Sequence, residues 1–212
     1  MCPFQKSEIH TDVFTLEEIN LLRQDQNSRA VAVRETNTNV HNKNLDYHLP
    51  NSIVHKIVKP KLDRLFGTDH EFSTGAYKEA WTPYATHVDN WDFHRHHYSF
   101  TDNKQKYNCA VLIPLSEDPE FRTVIFDAHS DADLGMGQPL PEKFLTSSND
   151  LNLNWFTHIK EPTRQQIPKL ALDKVFNWKI GNLVIWARSA LHCSSDFAKF
   201  GLCKRFIVIF IA

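Results

Sequence analysis

Residues 176–212 read FNWKIGNLVIWARSALHCSSDFAKFGLCKRFIVIFIA. Two runs rich in β-branched and aromatic residues, Lys179–Arg188 and Cys203–Ala212, flank the turn-forming SSDFAKFG, a pattern of two strands folding back on one another. In the second run, alternation places Arg205, Ile207, Ile209 and Ile211 on one face and Phe206, Val208 and Phe210 on the other. Both faces are apolar, so the strand is expected to be covered on both sides. A guanidinium aligned with three isoleucines then needs an anion, because an unpaired buried charge is costly. Either a protein carboxylate, such as Glu79 or Asp173, or the carboxylate of a bound ligand could supply it.

Outward from this stretch, Thr15–Gln26 opens with Thr15 and Glu18 at capping-box spacing, followed by an apolar stripe of Leu16, Ile19 and Leu22, which predicts a helix. Ser52–Phe66 holds the helical period through Ile53, Val54, Ile57, Val58, Leu62 and Leu65 and stops at Gly67. Pro60 should kink or divide it. From Glu71 onward the character changes to strand, in Glu71–Trp81, Asn108–Leu115 and Arg122–Phe126. Asp127–Lys174 is polar, irregular and punctuated by Pro139, Pro141, Pro162 and Pro168, with room only for short helical turns. No repeat or linker divides the chain, so residues 1–212 read as one domain, with helical support over 1–69 and a β core over 70–212. Helices followed by many short strands predict a mainly β fold with flanking helices, a helix-backed sandwich or jelly roll.

A length of 212 residues suits one domain with a substantial core. The net charge of −1, without a local basic run, argues against nucleic acid or an anionic membrane as partner. The opening MCPFQKSEIH lacks the apolar core of a signal peptide, and no stretch is long enough to span a bilayer. Cys2, Cys109, Cys193 and Cys203 form no Cys-x-x-Cys pair, which excludes a zinc knuckle or thioredoxin-like motif. A cytoplasmic protein with reduced thiols is expected.

The compositional outlier is histidine, at twelve, and these cluster. Residues 87–100, HVDNWDFHRHHYSF, contain His87-x-Asp89 and His94-x-His96, with His97 beside the second pair. A non-haem iron site uses two histidines and a carboxylate on one face of an octahedron, leaving the rest open. His-x-Asp at a strand end suits this, since residues i and i+2 point the same way. The third ligand must come from elsewhere, and His192 is the only histidine after His158. The competing His94/His96 pair suggests a cupin, but residues 97–102, HYSFTD, supply neither the glutamate nor the glycines of that pattern. Trp91, His94, His96, His97 and Tyr98 then form either a substrate-facing loop or an internally bonded one. Arg188 either faces the same cavity or is a charge at a strand end, and Cys193 reads as a packing residue.

Together these residues resemble the iron(II)/2-oxoglutarate-dependent dioxygenases, especially the prolyl hydroxylase-like branch. The resemblance rests on His87-x-Asp89, on His192 and on Arg205, thirteen residues further on. GAYKEAWTPYATHVD leads into the first motif, NCAVLIPLSEDPEFRTVIFD looks like the core strand pair, and residues 176–212 look like the closing pair, so the likeness covers roughly residues 70–212. It departs in the long interval from Asp89 to His192, which makes Asp127–Lys174 an insertion, and in DPEFR, where a glycine-rich turn is usual. The resemblance implies a double-stranded β-helix (a jelly roll or cupin-like barrel) that binds Fe(II) through His87, Asp89 and His192. It also implies 2-oxoglutarate on the metal, its distal carboxylate on Arg205, with Tyr77 and Asn108 as further polar contacts and ascorbate as auxiliary reductant. Dioxygen would then be used to hydroxylate a small molecule or an amino-acid or peptide side chain, releasing succinate and CO2. Asp89 favours hydroxylation, since halogenases of the family lack this carboxylate. The other reading is a non-catalytic or hydrolytic cupin-like metal-binding β-sandwich centred on His94 and His96.

Overall fold

A computed structural model of the chain describes residues 6–36, 44–67, 72–89, 109–130, 134 and 138–211. Helix α1, Leu16–Thr36, begins at the expected capping box and runs past Gln26. The Thr15 N–H donates to Glu18 Oε2 (2.8 Å) and the Glu18 N–H to Thr15 Oγ1 (3.2 Å), which satisfies two otherwise orphaned donors. The second helical stretch is divided as Pro60 requires. It consists of α2, Asn51–Ile53, a π-helical turn, Val54–Val58, and α3, Lys59–Phe66. Proline has no N–H to return and its ring crowds the carbonyl four residues back, and the wider turn accommodates both.

Among the described residues nine strands follow one another: β1 Glu8–His10, β2 Asn44–His48, β3 Phe72–Ala80, β4 Cys109–Pro114, β5 Arg122–His129, β6 Leu172–Asn177, β7 Leu183–Ala187, β8 Ala190–Ser194 and β9 Lys204–Ile211. They form a six-stranded sheet, β1-β7-β4-β9-β3-β2, and a three-stranded sheet, β6-β5-β8. Every pairing is antiparallel. This is the expected jelly roll, with two departures in detail. The first 69 residues are not only helical, because β1 and β2 close the two edges of the larger sheet. In the closing region, β6 and β8 are additional strands. Neither carries a long β-branched run, and ALHCS is only five residues, so they leave little trace in the sequence.

The alternation read from β9 holds, and both of its faces are covered. Ile207, Ile209 and Ile211 join Val111, Ile113, Leu183 and Ile185 in a core under Ile19, Leu22, Val58 and Leu62 of the helices. Phe206, Val208 and Phe210 turn the other way, into the barrel, with Ala110, Leu112, Val184, Trp186 and Phe197. Within the expected insertion, residues 138–171 fold over the outer face of the small sheet. There Leu140, Phe156, Ile159, Ile167 and Leu170 pack on Val124 and Phe126 of β5 and on Leu191 and Cys193 of β8. Cover on both faces explains why β4, β5, β7 and β9 read as continuous apolar runs.

No helix among the described residues is long and apolar enough to cross a membrane. Cys193 and Cys203 are thiols, but Cys109 is disulfide-bonded, so the expectation of reduced thiols fails at that position.

Candidate metal centre

His87 and His192 lie directly opposite one another across an isolated antiparallel bridge between the segment after β3 and strand β8. The His87 N–H donates to the His192 carbonyl (3.0 Å) and the His192 N–H to the His87 carbonyl (2.9 Å). Side chains of directly opposed residues share one side of a sheet, and the two imidazole centroids are 4.2 Å apart. Asp89, two residues after His87, points to the same side. One ligand atom from each of His87, Asp89 and His192 lies within 4.8 Å of the others.

The imidazoles are oriented by their far nitrogens. His87 Nδ1 is 2.7 Å from the Ala85 carbonyl and His192 Nδ1 is 3.0 Å from the Ala190 carbonyl. A carbonyl can only accept, so each ring carries a proton on Nδ1 and turns Nε2 toward the centre. His87 Nε2 is 4.0 Å from Asp89 Oδ1, and His192 Nε2 is 3.6 Å from Asp89 Oδ2. Burial, and then the neighbouring His192, lower the His87 pKa to about 4, so this imidazole is neutral at physiological pH. A neutral imidazole is the form that binds a metal.

Asp89 is held from the end of β7. Its N–H donates to the Arg188 carbonyl (3.1 Å), and Arg188 Nε donates to the Asp89 carbonyl (2.7 Å). The Trp186 indole N–H donates to Asp89 Oδ2 (3.0 Å). Arg188, read as either a cavity charge or a strand-end charge, is therefore a backbone clamp on the proposed ligand. Trp186 was not anticipated, since a tryptophan in an apolar strand gives no sign of where its N–H points.

The structure does not bring Arg205 to this centre. It lies on the helix-covered face of β9, 40% exposed at the side chain, where Nη1 donates to Asn27 Oδ1 of α1 (3.2 Å) and Nε is 4.0 Å from Glu79 Oε2. Glu79 is its register partner on β3. Of the two anion sources open to Arg205, a protein carboxylate is the one realised. Asp173 instead accepts from the Ser7 N–H (2.8 Å). Tyr77 is misplaced for the same reason. Its odd-numbered position on β3 sends it into the core beneath the helices, with Ile207, Val58 and Leu62, and away from the barrel. Cys193 packs on the outer face of the small sheet, as expected of a packing thiol. Asn108, Trp91, His94, His96, His97 and Tyr98 lie outside the described residues.

The inward-facing cation of β9 is Lys204. It is 1% exposed, and its ammonium donates to the Arg122 carbonyl (2.9 Å). Nζ lies 4.4, 4.8 and 5.5 Å from the ring centroids of Trp178, Phe197 and Phe121. It pairs with no carboxylate among the described residues, and burial holds its pKa well below the ordinary lysine range. The signal was present in the sequence, because Lys204 shares its parity with Phe206, Val208 and Phe210.

No protein-family model matches the chain, and no curated protein matches it by sequence. Solved structures do match. The chain is similar to the epimerase SnoN in complex with Fe3+, alpha ketoglutarate and nogalamycin RO, with a TM-score of 0.55 at 9% identity over 97% of this chain and 78% of that one. It is similar to the non-heme alpha ketoglutarate-dependent carbocyclase SnoK from nogalamycin biosynthesis, with a TM-score of 0.55 at 10% identity over 98% of this chain and 79% of that one. It is also similar to HygX from Streptomyces hygroscopicus with nickel and 2-oxoglutarate bound, with a TM-score of 0.50 at 11% identity over 98% and 82% of the two chains. At such identities the likeness is one of fold, a jelly roll that this chain shares with those structures.

Proposed function

We propose that the chain is a non-haem iron(II)- and 2-oxoglutarate-dependent oxygenase that hydroxylates a small molecule or an amino-acid or peptide side chain. The observation that carries this reading is the convergence of His87, Asp89 and His192 within 4.8 Å. It occurs in a jelly roll whose structural neighbours hold iron or nickel with 2-oxoglutarate. The donor set fits the metal. Two imidazole nitrogens and one carboxylate oxygen, all on one side, leave further coordination positions for a cosubstrate and dioxygen.

When bound, iron(II) and 2-oxoglutarate supply oxidation by dioxygen, in which 2-oxoglutarate loses CO2 to become succinate and the substrate C–H becomes C–OH. The protein's part is to bind and orient. The Ala85 and Ala190 carbonyls hold the Nδ1 protons and so turn both Nε2 atoms toward the centre, and the end of β7 fixes Asp89. For the distal carboxylate of 2-oxoglutarate we assign Lys204 in place of Arg205. An enclosed ammonium facing the barrel, with no carboxylate partner among the described residues, gains most from a ligand that brings one. The aromatic wall of Trp178, Phe197 and Phe121 excludes water there and strengthens that contact.

The test is succinate formation from 2-oxoglutarate in air with Fe(II) and ascorbate, together with anaerobic 2-oxoglutarate binding. Slow succinate release without added substrate, abolished in His192→Ala, is expected. If the wild-type protein neither turns over nor binds 2-oxoglutarate, the proposal fails.

A further inference from the structure

The geometry points to Trp186 as a positioning residue that decides which oxygen of Asp89 faces a metal ion. The inference rests on the metal centre proposed above and extends it to the coordination mode of its carboxylate. An indole N–H can donate but not accept, and that of Trp186 is spent on Asp89 Oδ2 at 3.0 Å. The donor is not free to wander. Trp186 is 2% exposed on the barrel face of β7, packed with Val184 and Ala110. Its ring centroid is 5.0 Å from that of His192.

Two further hydrogen bonds reach Asp89 from Arg188, two residues along the same segment, one to the Asp89 carbonyl and one from the Asp89 N–H. The backbone of Asp89 and one of its oxygens are therefore fixed from a single rigid element. Among the described residues no such donor reaches Oδ1, which lies 4.0 Å from His87 Nε2, whereas Oδ2, 3.6 Å from His192 Nε2, carries the indole. Asp89 therefore presents Oδ1 as a single-oxygen ligand, while Oδ2 keeps the indole. Without the indole, both oxygens are free to turn toward the cation. That would close a coordination position that a cosubstrate or dioxygen needs.

The probe is Co(II), titrated anaerobically into the full chain, reading both the dissociation constant and the visible spectrum, which reports coordination number. Trp186→Phe keeps the ring bulk and removes the N–H. It is expected to weaken Co(II) binding by about 10–100-fold, the usual effect of losing a partner of a ligating group, and to change the spectrum. Both effects should vanish in an Asp89→Ala background, because the indole acts only through that carboxylate. An unchanged affinity and spectrum in Trp186→Phe overturn the inference. So does an effect equally large without Asp89, which would mean that the ring acts by packing on His192.

If Trp186→Phe fails to fold, the indole N–H resonance of Trp186 supplies the answer in wild type and Asp89→Ala alone. It should be downfield and slow to exchange in the first and lose both properties in the second, and identical behaviour in the two refutes the assignment. If His192→Ala leaves Co(II) affinity unchanged, the metal centre itself falls and takes this inference with it. A normal loss in His192→Ala beside a silent Trp186→Phe removes the inference alone.

Discussion

Replacing Lys204 by methionine separates the two lysine and arginine neighbours at the start of β9. Methionine keeps most of the stem volume and removes the charge. Lys204 is 1% exposed and, among the described residues, donates only to a neutral carbonyl, so a bound 2-oxoglutarate would lose its ionic partner inside a dry barrel. Stranding one member of a buried pair costs about 3–5 kcal/mol, which is roughly a hundredfold to a few thousandfold in Kd. Anaerobic calorimetry with the metal-loaded protein should show that loss for 2-oxoglutarate. For 2-oxobutyrate, which lacks the distal carboxylate, wild type and variant should bind alike. The ligand-free variant is expected to unfold no earlier than wild type, since an unpaired buried ammonium is a liability that methionine removes. Arg205→Met should leave 2-oxoglutarate affinity unchanged. Its pair with Glu79, at 4.0 Å and 40% exposed on the arginine side, contributes at most about 1 kcal/mol of stability after screening. The reasoning is refuted if Lys204→Met binds 2-oxoglutarate within threefold of wild type while Arg205→Met does not.

Alanine at His87, Asp89 or His192 should each lower Co(II) or Fe(II) affinity by at least tenfold in anaerobic titration, and a single silent position would show that the cluster is not one site. The metal-free protein should lose stability as pH falls. With His87 at about 4 when folded and 6.5 when unfolded, the unfolded chain binds more protons between those values, so the contribution is complete above 6.5 and declines below it, by up to about 3 kcal/mol at pH 4. Urea unfolding from pH 4.5 to 7.5 should show that slope reduced in His87→Gln. Gly181→Ala should cost about 1–2 kcal/mol in thermal or urea unfolding. Gly181 has φ +88° and an added Cβ would sit 2.9 Å from the Phe14 carbonyl oxygen, at the turn where the Val13 and Phe14 N–H groups donate to its own carbonyl.

Much of this was legible in the sequence because the signals are local. Thr15 and Glu18 announce a cap that three residues suffice to form, and Pro60 breaks its helix through its own ring and missing N–H. His87, Asp89 and His192 could be singled out because two share a short motif and the third has no competitor after His158. What was not legible depends on the order of strands. β6 and β8 lack long apolar runs and are held by pairing with β5. The roles of Trp186 and Arg188 exist only because the end of β7 lies against Asp89, nearly a hundred residues earlier in the chain.

Arg205 shows the limit most clearly. Alternation assigned its face correctly but could not say what covers that face. The premise of a buried charge does not hold, because the Arg205 side chain is 40% exposed, although a carboxylate does lie near its guanidinium. That anion is Glu79, which becomes its neighbour only once β3 and β9 pair in register. Two consecutive basic residues entering a strand that is buried on both sides must divide between those sides. The helix side offers Arg205 a carboxylate and the Asn27 side chain, whereas the barrel side offers Lys204 three aromatic faces and one carbonyl. A protein that needs only stability would place methionine or leucine at the second position. Retaining an ammonium there is explained when the missing anion belongs to a ligand, which is why Lys204, and not its better-paired neighbour, is the residue on which the cosubstrate proposal stands.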